Sequence, residues 1–580
     1  MGIQGLTSFI DDNGTFLKDD HFRNSKLVID GSNLYHSLYF NSCLDQKHGG
    51  DYDAFEDQVC EFFKVLRDCD IDPYVIIDGG SDHTDNKFKT LHQRAQSKIN
   101  TADDLSMGLQ GGSIVPTLVK QVFKQVLSSL NVSFAQCICE ADQEIVSLAQ
   151  RWTCPVLSND SDFYIFDIQA GYLPMSHFQW QKASVQRGSS QRSIPCKRYT
   201  TTSFCSQVNI NRQLLPVFAV IAGNDYVNLR NMGVSIRWED YSSMKPNRKP
   251  KFVFFDRLLD WLTRFQGQQE ALDSVPRLIG HGNNRHKMAA ALQALSLGIV
   301  EYQLPPDYLE RFFNDDVAPD PDHLPEPLRV LPDWTLLPLT KGRLPTRMVD
   351  VLQLRKVIQG VQVEDLHLPS GNTTSRPIRQ VLYGLLLGER REVEEYDREG
   401  KNLTSSKVKA ILPSAAQHLQ LATLDQAPQS VRLEVFLETL DRPLLQALLL
   451  GLVYGELCRQ RKSQKGFIEE GPVLERLRGL IQRGARGLDL GVAHAYSQWQ
   501  CCMRDGLDLN QLLCLPLPEP QCAWLYRGTL VHQLVAELRQ GVNPESLLME
   551  DPPSEQLYSA MLGATRSSQE TEATGQPDGP

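Results

Sequence analysis

The run Lys26-Leu-Val-Ile-Asp30 decides the fold class, because two similar runs follow it, Tyr74-Val-Ile-Ile-Asp78 and Pro155-Val-Leu-Ser-Asn-Asp160. Short, continuous apolar runs are typical of parallel strands that are buried on both faces of a sheet. The intervening segments 54–66 and 115–130 have helical periodicity. We therefore predict an α/β domain with a twisted, mostly parallel sheet in the first part of the chain.

Acidic residues stand where these predicted strands end, and others follow nearby apolar runs. Open α/β sheets bind ligands at the carboxyl ends of their strands, so this location indicates a site. A spacing of two, as in Glu140 and Asp142, places both carboxylates on one side of an extended chain, where repulsion is costly without a cation. Taken singly, an Asp that ends a strand is more often a turn residue or a helix N-cap than a metal ligand. The candidate metal ligands are Asp30, Asp78, Glu140, Asp142, Asp160, Asp162 and Asp225.

Carboxylates are the natural ligands of Mg²⁺, which prefers oxygen donors. Two such cations, held roughly 3.5–4 Å apart, are the usual means of hydrolysing a phosphodiester. The candidate ligands therefore indicate a metal-dependent phosphodiesterase site.

The composition limits the possible classes of protein. The net charge is −11 over 580 residues, which excludes a generally basic DNA-coating protein and requires any phosphate-binding surface to be local. The thirteen cysteines lack CxxC or paired Cys/His spacing, so we expect reduced thiols rather than a zinc site or disulfides.

We find no signal-peptide pattern, and the longest apolar stretch, 444–453, is too short to span a bilayer. We expect a soluble intracellular protein that makes no use of a membrane.

Beyond residue 252 the strand signal fades and helical spacing dominates, while a proline-rich, acidic stretch and a polar C-terminal tail interrupt the pattern. The predicted division is a core at 1–240, a helical extension at 241–313, a linker at 314–345, a helical C-terminal region at 346–564 and a disordered tail at 565–580.

Four short motifs resemble, in order and spacing, those of the flap endonuclease (XPG-like) family of structure-specific nucleases. They are Met1-Gly-Ile-Gln-Gly-Leu6, Glu140-Ala-Asp142, Asp160-Ser-Asp162 and Gly223-Asn-Asp-Tyr226. Within this family the chain looks most like the Asteroid branch. The resemblance implies a PIN-like core, a DNA endonuclease activity, a role in DNA repair and a nuclear location, with the cytoplasm as a second possible location.

The resemblance also implies a ligand set for two Mg²⁺ or Mn²⁺ ions. Asp30, Asp78, Glu140 and Asp142 would face one ion, and Asp160, Asp162 and Asp225 the other. Gly2 would lie near the scissile phosphate after removal of Met1.

Lys87 and Arg94 are seven residues apart, a spacing that places both on one face of a helix. A Lys and an Arg at this spacing reach the scissile phosphate in flap nucleases, so the resemblance implies that both act in catalysis. A solvated helix face explains the same two residues, and this alternative stays open at this point.

Two departures from the family pattern bear on the substrate. The stretch 231–238 has a single glycine where flap nucleases have a helix-hairpin-helix that grips duplex DNA. The segment between Arg94 and Glu140, where those nucleases build an arch for threading a 5′ flap, is short. We therefore expect DNA with single-stranded character, such as a 3′ overhang or a splayed end, rather than a threaded 5′ flap.

Two alternatives remain. In the first, the chain is a catalytically silent PIN-like scaffold that binds nucleic acid and recruits protein partners through its helical C-terminal region. In the second, it is a ribonuclease, since the same metal ligands serve RNA and nothing in the sequence reads the 2′-hydroxyl.

Overall fold

The computed structural model describes residues 2–439 and 487–543, with short gaps, and isolated positions at 479 and beyond 543. The gaps are 82–86, 110, 186–190, 235, 237–251, 280–284, 306–307, 325 and 525–526. The predicted tail at 565–580 and part of the stretch 231–238 lie outside the described residues.

The strands are β1 Lys18–Phe22, β2 Ser25–Asp30, β3 Ile71–Ile77, β4 Ser133–Gln136, β5 Val156–Ser158, β6 Tyr172–Pro174, β7 Ser184–Val185, β8 Arg192–Arg198, β9 Lys356–Ile358, β10 Glu392–Glu399 and β11 Asn402–Lys409. The helices are α1 Leu6–Asp12, α2 Gly31–Asn41, α3 Tyr52–Asp68, α4 Phe88–Ser106, α5 Val119–Ser129, α6 Asp142–Trp152, α7 Thr201–Val208, α8 Leu215–Ala222, α9 Val253–Leu262, α10 Gln268–Leu278, α11 Arg285–Val300, α12 Leu309–Asp315, α13 Asp333–Thr340, α14 Arg347–Gln353, α15 Arg376–Leu387, α16 Gln429–Thr439, α17 Leu490–Leu512 and α18 Gly528–Arg539.

A five-stranded sheet in the order β4-β3-β2-β5-β6 forms the centre of the N-terminal part. Each neighbouring pair in this sheet is parallel. The three predicted strands are therefore confirmed as β2, β3 and β5, and the predicted helices at 54–66 and 115–130 as α3 and α5. The fold class, an α/β domain with a mostly parallel sheet, is confirmed.

The sheet is buried on both faces, which is why its strands read as continuous apolar runs. Leu27 and Ile29 of β2 belong to one hydrophobic core, which α2, α3 and α5 cover. Val28 faces the opposite core, which α1, α6 and α8 cover. Neighbouring residues of a strand point to opposite faces, so both cores draw on the same short run.

The described residues of the C-terminal part, 346–439 and 487–543 with the gap noted above, are mainly helical, as predicted, and they also form a second sheet in the order β11-β10-β9. Strands β10 and β11 form an antiparallel hairpin, and β9 lies parallel to β10. A third sheet joins β1, β8 and β7 in antiparallel order. No helix in the described parts of the chain combines the length and the apolar character that crossing a bilayer requires.

The stretch 314–345 differs from the predicted linker. It contains α13, and Leu331, Leu336 and Leu344 are buried in the core that also holds Ile29 of the central sheet. The prolines in this stretch separate short helical turns, and the leucines between them supply an apolar face. The segment is thus packed against the N-terminal part, while the other domain boundaries stay predictions.

Candidate metal centre

Three of the predicted ligands lie at one edge of the central sheet because parallel strands end at the same edge. Asp30 is the last residue of β2, Asp78 follows β3, and Asp160 follows β5 by two residues. The structure therefore brings together three carboxylates that are up to 130 positions apart in sequence, counted from 30 to 160.

The tightest group consists of Asp142, Asp160 and Asp162, each of which offers a carboxylate oxygen within 4.8 Å of the others. Asp142 is the first residue of α6. Asp160 precedes a single 3₁₀ turn at Ser161–Tyr164 and its Oδ1 accepts a hydrogen bond from the Asp162 backbone N–H at 3.1 Å. The turn places both carboxylates of the pair close to Asp142.

Asp30 and Asp78 lie beside this group. We call the seven predicted ligands, Asp30, Asp78, Glu140, Asp142, Asp160, Asp162 and Asp225, the acidic cluster. Asp30 is 3% exposed and caps α2, since its Oδ1 accepts from the Asn33 N–H at 3.0 Å. Its Oδ2 accepts from Ser158 Oγ at 2.6 Å. Asp78 Oδ1 accepts from the Ala141 N–H at 3.1 Å. Asp30 is thus an N-cap and a member of the acidic cluster at once.

Burial makes the carboxyl groups of Asp30, Asp142 and Asp162 hard to ionise. Burial, with a smaller contribution from Asp78, raises the pKa of Asp30 to about 7. Burial and the Asp160 carboxylate raise the pKa of Asp162 to about 8 and also raise the pKa of Asp142. Both causes, loss of hydration and repulsion between neighbouring carboxylates, disfavour the charged form, and a bound cation would favour it.

The donor set suits a hard divalent cation. The ligand atoms are carboxylate oxygens, the side chains are largely buried, and their negative charges are only partly balanced by protein cations. Such a set fits Mg²⁺ or Mn²⁺, which bind oxygen donors, better than Zn²⁺, which takes nitrogen and sulfur.

Lys87 and Arg94 lie beside the acids. Lys87 Nζ donates to Glu140 Oε2 at 2.7 Å and lies 3.9 Å from Asp225 Oδ2. Arg94 Nη2 donates to Asp225 Oδ1 at 2.5 Å. Burial alone would lower the pKa of Lys87, but Glu140 and Asp142 hold it above its usual range. The alternative of a solvated helix face is wrong for Lys87, which is 8% exposed.

The N-terminus packs against the same acids. Gly2 has a φ of +69°, and a Cβ at this position would lie 2.5 Å from both Asp160 Oδ1 and Ser161 Oγ. The next residue, Ile3, donates its N–H to Ser161 Oγ at 2.7 Å. Because no other side chain fits this backbone conformation and this space, glycine is required here.

Two residues that the sequence reasoning missed orient the acids. Ser158 Oγ donates to Asp30 and accepts from the Asp160 N–H at 3.0 Å. Tyr302 OH donates to Asp162 Oδ1 at 2.9 Å. Ser158 lies within the third apolar run, where its polarity was a usable signal. Tyr302 follows α11, outside the predicted core, and no local pattern connects it to the site.

Two family models match the sequence. The XPG N-terminal domain matches residues 1–101, and the Asteroid N-terminal domain matches residues 476–575. Among curated proteins, the chain is similar to the single-strand DNA endonuclease ASTE1 of Danio rerio, with 43% identity over 96% of this chain and 85% of the relative.

Other relatives extend the same pattern. The Homo sapiens protein of the same name is 37% identical over 98% of this chain and 90% of its own length. A solved structure of human GEN1 in complex with Holliday junction DNA covers 61% of this chain and 78% of that chain, with 16% identity and a TM-score of 0.32. That structural likeness is too low to support an argument, whereas the sequence relationship spans nearly the whole chain.

Proposed function

This chain belongs to the Asteroid family of XPG-like nucleases, and on that premise we propose that it is a metal-dependent endonuclease for DNA with single-stranded character. The observation that carries the proposal is the group of half-buried Asp142 with buried Asp160 and Asp162, whose oxygens lie within 4.8 Å of one another. The relatives named as single-strand DNA endonucleases support the class of reaction and of substrate.

We assign two divalent cations to the acidic cluster. Asp30, Asp78, Glu140 and Asp142 would hold one ion, and Asp160, Asp162 and Asp225 the other. Bound Mg²⁺ or Mn²⁺ would supply positive charge at the phosphate and lower the pKa of a water molecule. The hydrogen bonds from Ser158, Asn33 and Tyr302 fix the orientation of the carboxylates, as outer partners do in metal sites generally.

The role that we propose for Lys87 and Arg94 is stabilisation of the charge that develops on the phosphate. Their ion pairs with Glu140 and Asp225 hold both cationic groups at the cluster. Cations bound by these two acids would weaken the ion pairs and free Lys87 and Arg94 to contact a phosphodiester. Lys87 and Arg94 would thus neutralise the charge of Glu140 and Asp225 before the metal ions bind, and the charge of the phosphodiester afterwards.

The connection that follows α4 supports a substrate that does not thread through the protein. Ala102 and Leu105 of α4 and Ile114 beyond it form a small buried cluster with Val363 of the C-terminal part. This packing fixes Ile114 and the end of α4 against the C-terminal part. We therefore propose 3′ overhangs, splayed ends and free single strands as substrates, in preference to a threaded 5′ flap.

The test compares the wild type with Asp160→Ala/Asp162→Ala on end-labelled single strands, 3′ overhangs, splayed ends, 5′ flaps and blunt duplex, in Mg²⁺, Mn²⁺ or EDTA. The exposed residue Asp19 of β1 provides a control, Asp19→Ala. We expect cleavage that requires metal, survives in the control and is lost in the double variant. A circular single strand should be cleaved as well as a linear one, since entry would need no free end.

Other outcomes would favour the alternatives. DNA binding without cleavage by the wild type in any metal would favour the silent scaffold. Faster cleavage of RNA than of DNA of the same sequence would favour a ribonuclease, and strong preference for the 5′ flap would refute the proposed substrate.

We further propose a role in DNA repair, a nuclear location and protein partners for the region 346–564. Fluorescence microscopy of the tagged chain, before and after DNA damage, tests the location.

A further inference from the structure

Helix α4 presents its cationic face to the acidic cluster. Lys87, which precedes the helix, and Arg94 make the ion pairs described above, and Thr90 Oγ1 donates to the Asp225 backbone carbonyl at 2.8 Å. At about 100° per residue these three positions lie on one face of the helix. The position of this helix face therefore determines where the charged groups of Lys87 and Arg94 lie relative to the acidic cluster.

The opposite face of α4 contacts the C-terminal part through aromatic rings. The Tyr396 ring of β10 lies 4.9 Å from the Phe88 ring and 5.8 Å from the His92 ring, between centroids. Lys356 Nζ of β9 lies 4.6 Å from the Phe88 centroid. Aromatic pairs at such distances contribute about 0.5–1.5 kcal/mol beyond their buried area.

One turn further along this face, Gln96 binds the backbone of the β10–β11 hairpin, residues 392–409. Its Nε2 donates to the Lys401 carbonyl at 2.8 Å, and its Oε1 accepts from the Leu403 N–H at 2.8 Å. Lys401 Nζ lies 2.5 Å from Asp103 Oδ2, also on α4. The residues at 88, 92, 96 and 103 form one stripe, nearly opposite the stripe at 87, 90 and 94.

We propose that the β10–β11 hairpin is a positioning device that holds α4 with Lys87 and Arg94 in place before nucleic acid binds. The inference rests on the proposed function, because it concerns residues of that site. The helix is held between the acidic cluster and the hairpin, so movement of the hairpin moves the cations. Groups placed in advance of binding avoid an entropic cost during the reaction, and a misplacement of about 1 Å can lower a rate by roughly a hundredfold.

The test uses Gln96→Ala/Lys401→Ala, which removes both hydrogen bonds and the ion pair with Asp103 without touching the acidic cluster. Lys407→Ala is the matched control, since Lys407 lies on the same hairpin, with its side chain 77% exposed and paired only loosely with Glu392 at 3.6 Å. In steady-state cleavage of a labelled single strand, we expect the double variant to lower kcat roughly tenfold or more. KM should change less than twofold, and the control should match the wild type.

Adding the double variant to an Arg94→Ala protein distinguishes a positioning role of the hairpin from an effect on general stability. If the hairpin acts through Arg94, the double variant should cause little further loss in an Arg94→Ala protein, because interacting residues are not additive. Hydrogen exchange of the α4 amides should become faster in the double variant, while the melting temperature stays near that of the wild type. Should the double variant not fold, Gln96→Leu keeps the side-chain volume without the hydrogen bonds.

Two results would overturn the inference: a wild-type kcat in the folded variant, or a lowered kcat with hydrogen exchange of the α4 amides unchanged from the wild type. Absence of cleavage by the wild type itself would instead count against the proposed function.

Discussion

Replacing Asp162 by Asn should stabilise the metal-free protein while it removes activity. Burial and the Asp160 carboxylate raise the pKa of Asp162 from 3.8 to about 8, and each pKa unit corresponds to about 1.36 kcal/mol. At pH 7 the shift costs the fold at most about 4 kcal/mol, and shared charge and local relaxation reduce this, so we expect about 1–3 kcal/mol of stabilisation. Asn keeps the oxygen that accepts from Tyr302.

The sign follows from proton binding. Between pH 4 and pH 8 the folded wild type binds more protons at Asp162 than the unfolded chain does, so this contribution to stability is present at low pH and is lost as pH rises through 8. The advantage of Asp162→Asn should therefore be small at pH 5 and largest near pH 8.

Urea unfolding in EDTA at pH 5 and pH 8 measures this difference, and Asp19→Asn on the exposed strand β1 is the control. Mg²⁺ should then stabilise the wild type more than the variant, since only ligands that bind the folded state add stability. The reasoning is refuted if Asp162→Asn is less stable than the wild type at both pH values, or if its advantage shrinks as pH rises.

Three further substitutions test other parts of the structure. Gly2→Ala should lower cleavage at least tenfold, because its Cβ would lie 2.5 Å from Asp160 Oδ1; cleavage assays beside a melting curve measure this. Tyr302→Phe, which removes the hydrogen bond to Asp162, should weaken Mn²⁺ binding by about 10- to 100-fold in calorimetric titration. Arg379 of α15 is buried, and its guanidinium pairs with the buried carboxylates of Glu395 at 2.6 Å and Asp505 at 2.8 Å. Arg379→Met should therefore destabilise the protein by about 3–5 kcal/mol in urea unfolding, because both carboxylates lose this cation.

The sequence predicted the sheet and the acids because both depend on local pattern. The run that ends at Asp30 is apolar from Leu27 to Ile29 and ends in a charge, which is typical of a doubly covered strand with a ligand site at its end. Helices α3 and α5 were predictable for the same reason, since their apolar positions repeat at helical spacing.

What the sequence did not reveal depends on contacts between distant segments. Tyr302 reaches Asp162 across 140 positions, and neither residue has a neighbour that marks the contact. The stretch 314–345 contains enough proline to resemble a linker, yet Leu336 and Leu344 are buried in the core. The contact between Gln96 and the β10–β11 hairpin is likewise formed by backbone groups, which have no sequence signature.

Residues from both halves of the chain form the core that covers one face of the central sheet. Ile29 and Val75 belong to it together with Met348, Ile378 and Leu509. A fragment shortened to residues 1–240 would lack Met348, Ile378 and Leu509, so the apolar side chains that pack against them in this core would be exposed to water and the fragment would aggregate. We expect premature termination in the second half to abolish the whole enzyme, because cellular quality control degrades chains that cannot complete their core.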